Sequence, residues 1–180
     1  MEPTEFRRTI GLFASGVAVI ATEFADSVHA MTANAVSSLS LSPALLIFCP
    51  AKKSKFASTL RQGGTFTVNF LRADQEALAT HFAGAWREAR PPPFRFVPGA
   101  IAPRLEGCLG SLECNTREII DGGDHWMVVG EVQALFQGIE PHRPLLFFKG
   151  QFRALDPERG RPAPDLIAVE DEPAHVYYDR

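Results

Sequence analysis

The chain has 180 residues, of which 46% are hydrophobic and 22% charged, with a formal net charge of −3 and an isoelectric point near 6.0. That length predicts one domain around a single core, and the mildly acidic balance excludes a polybasic nucleic-acid or membrane-surface binder. The longest apolar runs, Val17 to Ala21 and Ala44 to Cys49, fall far short of the roughly 20 residues that span a bilayer. The charged first ten residues lack the apolar stretch of a signal peptide, so the expectation is a cytoplasmic protein with no membrane partner.

Taken in order, Pro3 to Ser15 carries apolar side chains at Phe6, Ile10 and Phe13, which predicts an amphipathic helix capped by Thr4 and ended by Ser15-Gly16. Val17 to Phe24 and Val28 to Ala33 are β-rich around a turn at Asp26-Ser27 and predict a hairpin. Ala30 to Pro43 then crowds short hydroxyl and amide side chains beside the apolar run to Cys49. It reads either as an ordinary loop before a buried strand or as a polar edge shaped for a flat heteroaromatic ligand.

Lys52-Lys53-Ser54-Lys55-Phe56 follows, with Ser54 placed to cap a short helix through Gln62. A helix start offers unpaired N–H groups to an anion, so this turn is either the phosphate site of the chain or a solvated basic turn. Thr65 to Leu71 alternates as a strand, and Asp74 is expected to cap a helix through Gly84, with Leu78 and Phe82 on one face. From Ala85 to Pro103 prolines dominate, predicting a surface excursion that carries Arg87, Arg90 and Arg95.

Leu105 to Ile120 and Asp124 to Phe136 predict two strands joined at Asp121-Gly122-Gly123, which puts His125 at a sheet end, free to bond Asp124. Leu145 to Leu155 reads as the last core strand, and residues 156–180 as a proline-rich acidic tail. Cys49, Cys108 and Cys114 are expected as reduced thiols, and Cys108 and Cys114 with His125 lack the spacing of a zinc site, so no metal is expected. Strands outnumber helices, which predicts a mainly β fold, an antiparallel barrel with peripheral helices.

The succession of features is more specific than any one of them. A helix ending in Ser-Gly-Val, Thr-Ala-Asn with Ser-x-Ser-x-x-Pro, a Lys-Ser turn, Thr-Phe-Thr-Val-Asn-Phe-Leu, Gln-Glu-x-Leu-Ala-x-x-Phe-Ala, Leu-Glu-Cys and Gly-Asp-His occur in that order. The chain resembles the flavin reductase family, the short-chain reductases of two-component monooxygenases, over roughly Phe6 to Leu155. The resemblance implies an FMN-binding split β-barrel domain over residues 1–155, working as a homodimer.

It further implies that Thr32, Ala33, Asn34, Ala35 and Ser38 meet the isoalloxazine ring of FMN or FAD, with Ala35 standing where a serine is common. Ser54 would hold the flavin phosphate, with Lys53 and Lys55 adding charge, while Phe56 stands where the family carries a threonine. Ala83 of the Phe-Ala pair and Arg95 of the basic-aromatic pair would lie near the cofactor. His125 would lie where the nicotinamide of NADH or NADPH docks, against Phe147, Gly150 and Phe152.

The implied reaction is hydride transfer from nicotinamide C4 to flavin N5, with reduced flavin diffusing to a flavin-dependent oxygenase. That chemistry needs two stacked rings within about 3.5 Å rather than a strong acid or nucleophile, and the chain shows no Gly-x-Ser-x-Gly elbow and no Gly-x-Gly-x-x-Gly turn. Two other readings stay open: a flavin electron-transfer or storage protein that does not oxidise NAD(P)H efficiently, and a barrel for another ligand.

Overall fold

The computed structural model describes residues 1–61, 63–138 and 143–156, so the expected tail lies outside the described residues from position 157 onward. The first helix, α1 (Pro3–Ile10), opens on a proline, whose fixed φ and missing N–H suit that position. Thr4 is not its cap: Glu2 holds that place without a side-chain bond, and the helix stops at Gly11 rather than Ser15. Ser15–Gly16 is instead a short strand, β1, and no residue of α1 is buried.

Strands β2 (Ala18–Phe24) and β3 (Ser27–Ala33) form the expected hairpin. Its turn residues Ala25 and Asp26 have φ of 51° and 58°, the left-handed pair that a two-residue connection requires. The polar stretch that could have been a loop is a strand, β4 (Val36–Leu41), paired with β5 (Ala44–Phe48). A 3₁₀ turn at Phe56–Thr59 precedes β6 (Thr65–Phe70).

A second 3₁₀ turn, Ala73–Gln75, leads into α2 (Glu76–Phe82). Asp74 does not cap it; its carboxylate takes two hydrogen bonds of 2.9 Å from the Arg72 guanidinium. Gln75 stands at the N-cap of α2 without a side-chain capping bond; its Oε1 instead accepts from Arg72 N at 2.9 Å, closing the start of the 3₁₀ turn. Beyond it come β7 (Phe96–Val97), β8 (Arg104–Leu105), β9 (Gly110–Gly122) and β10 (His125–Gln137). The last expected strand is a hairpin of two, β11 (Leu145–Phe148) and β12 (Gln151–Ala154), turned at Lys149 and Gly150.

Seven strands make one antiparallel sheet in the order β3-β2-β6-β9-β10-β5-β4, and β1, β11 and β12 make a second, three-stranded one. The large sheet is not closed by hydrogen bonds between β3 and β4. Only Asn34 and Ala35 link these two edges, so the sheet must roll until they approach, which is the open form of the expected split barrel.

Strand β2 shows why its sequence is continuously apolar. Ala18 and Ile20 point into one cluster with Phe48, Phe56, Phe66 and Val128. Val17, just before the strand, and Val19 point the other way, into a second cluster with Leu71, Leu78, Leu105 and Leu145. A strand covered on both faces has no polar side to show. At the sheet centre, a Cβ on Gly130 would stand 2.4 Å from Phe66 Cζ, so only glycine lets β10 cross that ring.

The proline-rich excursion is tied down by buried polar groups. Glu113, 4% exposed, accepts the N–H groups of Ala100, Ile101 and Ala102 at 3.0, 2.7 and 3.2 Å. Thr67 donates to Pro103 O at 2.7 Å, and Asn69 Oδ1 accepts from Leu105 N at 2.9 Å. Satisfying buried side chains with loop backbone orders a segment that has almost no regular structure.

Candidate functional site

The seam between β3 and β4 opens into a cavity of about 590 Å³. Asn34 and Ala35 from the seam line it beside Val36, Ser37, Ile47 and Cys49. The opposite side comes from Arg7 and Ile10 of α1, Phe13, Ser15, and Phe147 and Gly150 of the β11–β12 hairpin. Asn34 Nδ2 donates to Ser15 Oγ at 3.3 Å, and Cys49 N donates to Ala35 O at 3.2 Å, which fixes both sides of the seam. Burial pushes the Cys49 thiol up, keeping it protonated and neutral at the cavity wall.

From Cys49 the chain runs directly to the basic turn, and that turn is bolted to the tip of the β9–β10 hairpin. Ala51 bridges to His125, Lys52 N donates to Asp124 O at 3.0 Å, and Trp126 N donates to Pro50 O at 2.9 Å. Lys52 Nζ sits 2.5 Å from Asp121 Oδ2 and 4.4 Å from the Trp126 ring centroid. Its ammonium holds the Asp121 carboxyl below the usual range. Lys52, which the sequence did not single out, is therefore the structural lysine, while Lys53 and Lys55 stay exposed.

Ser54 does cap the short turn, its Oγ accepting from Ala57 N at 3.1 Å. Its own O–H remains free to donate to a ligand. Phe56 differs from the expectation for a cofactor contact: its ring is 4% exposed and packs edge-on against Phe48, centroids 6.3 Å apart. The side chain belongs to the core, leaving only its backbone at the turn.

His125 Nδ1 lies 2.7 Å from Asp124 Oδ1, and this hydrogen bond is the main cause holding the Asp124 carboxyl below its ordinary value. With Nδ1 engaged by the carboxylate, Nε2 is the ring atom left for a ligand.

The remaining expected residues spread around this centre. Thr32 Oγ1 donates to Ala79 O at 2.7 Å, pinning β3 to α2, and Ala33 is buried in the core. Ser38 is exposed on β4. Ala83 ends α2. Arg95 is exposed and locked to Glu106 by bonds of 2.9 and 2.6 Å, which raise its pKa. Phe152 stacks edge-on against Phe147 at 5.7 Å rather than lining the cavity.

The structure thus gathers Asn34, Ala35, Phe147 and Gly150 at one cavity, and backbone bonds tie the turn that carries Lys53 and Ser54 to the start of the strand that carries His125. Arg7, Ile10, Phe13 and Ser15 line the cavity without having been expected there. For Ile10 and Phe13 the signal was the apolar spacing of the first segment, which reads equally as a face packed into the core, while Arg7 and Ser15 carried no signal of their own. Among the described residues, no three His, Cys, Asp or Glu side chains group as a metal site.

The family description "Flavin reductase like domain" matches residues 10–156. The chain is 40% identical over 157 residues to an NADH-dependent flavin reductase of a Rhodococcus species, covering 86% of this chain and 87% of that protein. It is 37% identical over 150 residues to the reductase component of 4-hydroxyphenylacetate 3-monooxygenase from Thermus thermophilus, covering 83% and 95%. Among solved structures it is similar to the Streptomyces globisporus NADH:FAD oxidoreductase SgcE6 in complex with NAD and FAD fragments. There the TM-score is 0.78 at 32% identity, over 88% of this chain and 96% of that one.

Proposed function

The chain belongs to the flavin reductase-like family of oxidoreductases, and we propose that it oxidises NADH to reduce FMN or FAD, which then serves a separate flavin-dependent oxygenase. The observation that carries this reading is the seam cavity itself, lined by Asn34, Ala35 and Cys49, with the chain leading from Cys49 into a basic serine turn that Ala51 bridges to His125. The relatives above support NADH as the donor. A flavin carrier that does not oxidise NADH has no use for that histidine, and the relatives bear reductase names.

The cavity fits a flavin ring by its chemistry as well as its size. Its volume lies within the roughly 300–1,000 Å³ of small-molecule sites, and apart from Arg7 its polar members are short side chains and seam backbone. When bound there, the flavin supplies the acceptor for the hydride of the reduced nicotinamide. Asn34 and Ala35 would hold the ring edge, and Phe147 and Ile47 would exclude water from it. Ser54 would donate its O–H to the flavin phosphate, with the exposed Lys53 and Lys55 adding positive charge. His125, oriented by Asp124, meets the carboxamide of the second ring.

The working unit in this reading is a homodimer of a single domain over residues 1–155. Ile10 and Phe13, which line the cavity, are 54% and 77% exposed, an apolar surface that a second copy would cover. No helix among the described residues is long and apolar enough to cross a membrane, and a cytoplasmic location completes the proposal. The test is absorbance at 340 nm of purified protein with NADH, then NADPH, adding FMN and FAD in turn. Oxidation that depends on added flavin is expected; tight flavin binding without oxidation would refute the reductase and leave the carrier.

A further inference from the structure

We propose that Arg7, Arg8 and Lys149 form an anion subsite that takes the pyrophosphate of the nicotinamide dinucleotide; this rests on the NADH-oxidising reading above. All three line a cavity of about 600 Å³, and no acidic side chain lines it with them. That cavity shares Arg7, Gly11 and Gly150 with the seam cavity, so the basic wall and the ring site are continuous. Three cations with no ion pair among the described residues stand together on a chain whose net charge is −3.

The placement is built by the fold. Lys149 N donates to Gly11 O at 2.9 Å, locking the β11–β12 turn onto the end of α1. Arginines in the last turn of a helix are favoured by the helix dipole, which accounts for Arg7 and Arg8 on their own helix. It does not account for Lys149, which holds φ of 51° in the first position of a two-residue turn. Glycine or asparagine fits that left-handed conformation with less strain. Its Nζ stands 5.3 Å from the Phe148 ring centroid, on the side of the hairpin that faces α1.

The flavin phosphate is assigned to the Ser54 turn, which leaves the α1 side for the second nucleotide. An exposed cluster of this kind attracts a diphosphate by field and by guanidinium hydrogen bonds, and salt weakens it.

The test is steady-state kinetics of the wild type and of Arg7→Gln/Lys149→Asn, where asparagine keeps the turn and glutamine the helix. The donors are NADH and the phosphate-free 1,4-dihydronicotinamide riboside, with FMN and FAD as acceptors. The kcat/KM ratio of NADH to the riboside is expected to fall about tenfold, that is about 1.4 kcal/mol, and the NADH KM to depend less on salt. An unchanged ratio in an active variant overturns the subsite. A rise in the FMN or FAD KM in place of the NADH effect overturns it too, assigning the cations to the flavin phosphates. A wild type that oxidises neither donor refutes the reductase reading itself, and the subsite with it.

Discussion

Phe56→Thr separates what the family pattern expects at the basic turn from what the fold allows. By pattern, threonine adds a phosphate hydrogen bond worth about 1–3 kcal/mol when charge-assisted. By structure, the ring lies in the core against Phe48 with 4% exposure, and the hydroxyl would be buried with it. Truncating a buried phenylalanine costs about 3–5 kcal/mol, and threonine returns little of that while adding a polar group. The expected loss is about 3–4 kcal/mol out of the roughly 5–15 kcal/mol of a typical domain. Urea unfolding followed by circular dichroism measures it, and FMN and FAD titrations by fluorescence quenching measure affinity on the folded variant. Tighter FMN binding with stability changed by less than about 1 kcal/mol would place the Phe56 side chain at the phosphate and refute the assignment to the core.

His125→Ala is expected to lower kcat/KM for NADH about tenfold, the value of one hydrogen bond to a ligand, while the flavin dissociation constant stays put; equal loss of both would remove His125 from the nicotinamide side. Glu113→Ala leaves three loop N–H groups without their acceptor and is expected to cost about 2–4 kcal/mol, read as a lower urea midpoint, with a change under about 0.5 kcal/mol arguing against the staple. Burial, with Glu113 beside it, pushes the Cys114 thiol up from 9.0 to about 12. The raised folded value means its contribution is complete below pH 9 and lost as pH climbs from there toward 12, at about 1.4 kcal/mol per pH unit. Urea midpoints between pH 8 and 10.5 should fall more steeply in the wild type than in Cys114→Ala, and parallel curves would contradict this.

The elements that were legible are those whose pattern matches their burial. The β2–β3 hairpin, β5, β6, β9 and β10 have apolar or alternating residues set by the cores they face. β4 was ambiguous because Ser37, Ser38 and Ser40 have little strand preference of their own; pairing with β5 imposes the conformation. The β11–β12 turn was hidden because Lys149 is not a residue type that advertises a left-handed bend.

At the proposed site, Asn34, Ala35, Ser54 and His125 were singled out because their order along the chain follows a family. Phe56 and Arg95 could not be placed without knowing that one ring turns inward and one guanidinium is already taken by Glu106. Nor does sequence say which of three adjacent lysines is spent on Asp121.

The two-residue link between β3 and β4 has a mechanical consequence. Three peptide units reach at most about 11 Å, so two strand edges, each with unpaired N–H and C=O groups, face each other across a narrow slot at that end. A planar heterocycle with donors and acceptors along its rim is a stitch for such a slot. Occupancy would then tie the first and last strands of the sheet together, and amide exchange along Ser27–Ala33 and Val36–Leu41 should slow together when ligand enters. The binding site is, on this view, the last fastening of the fold.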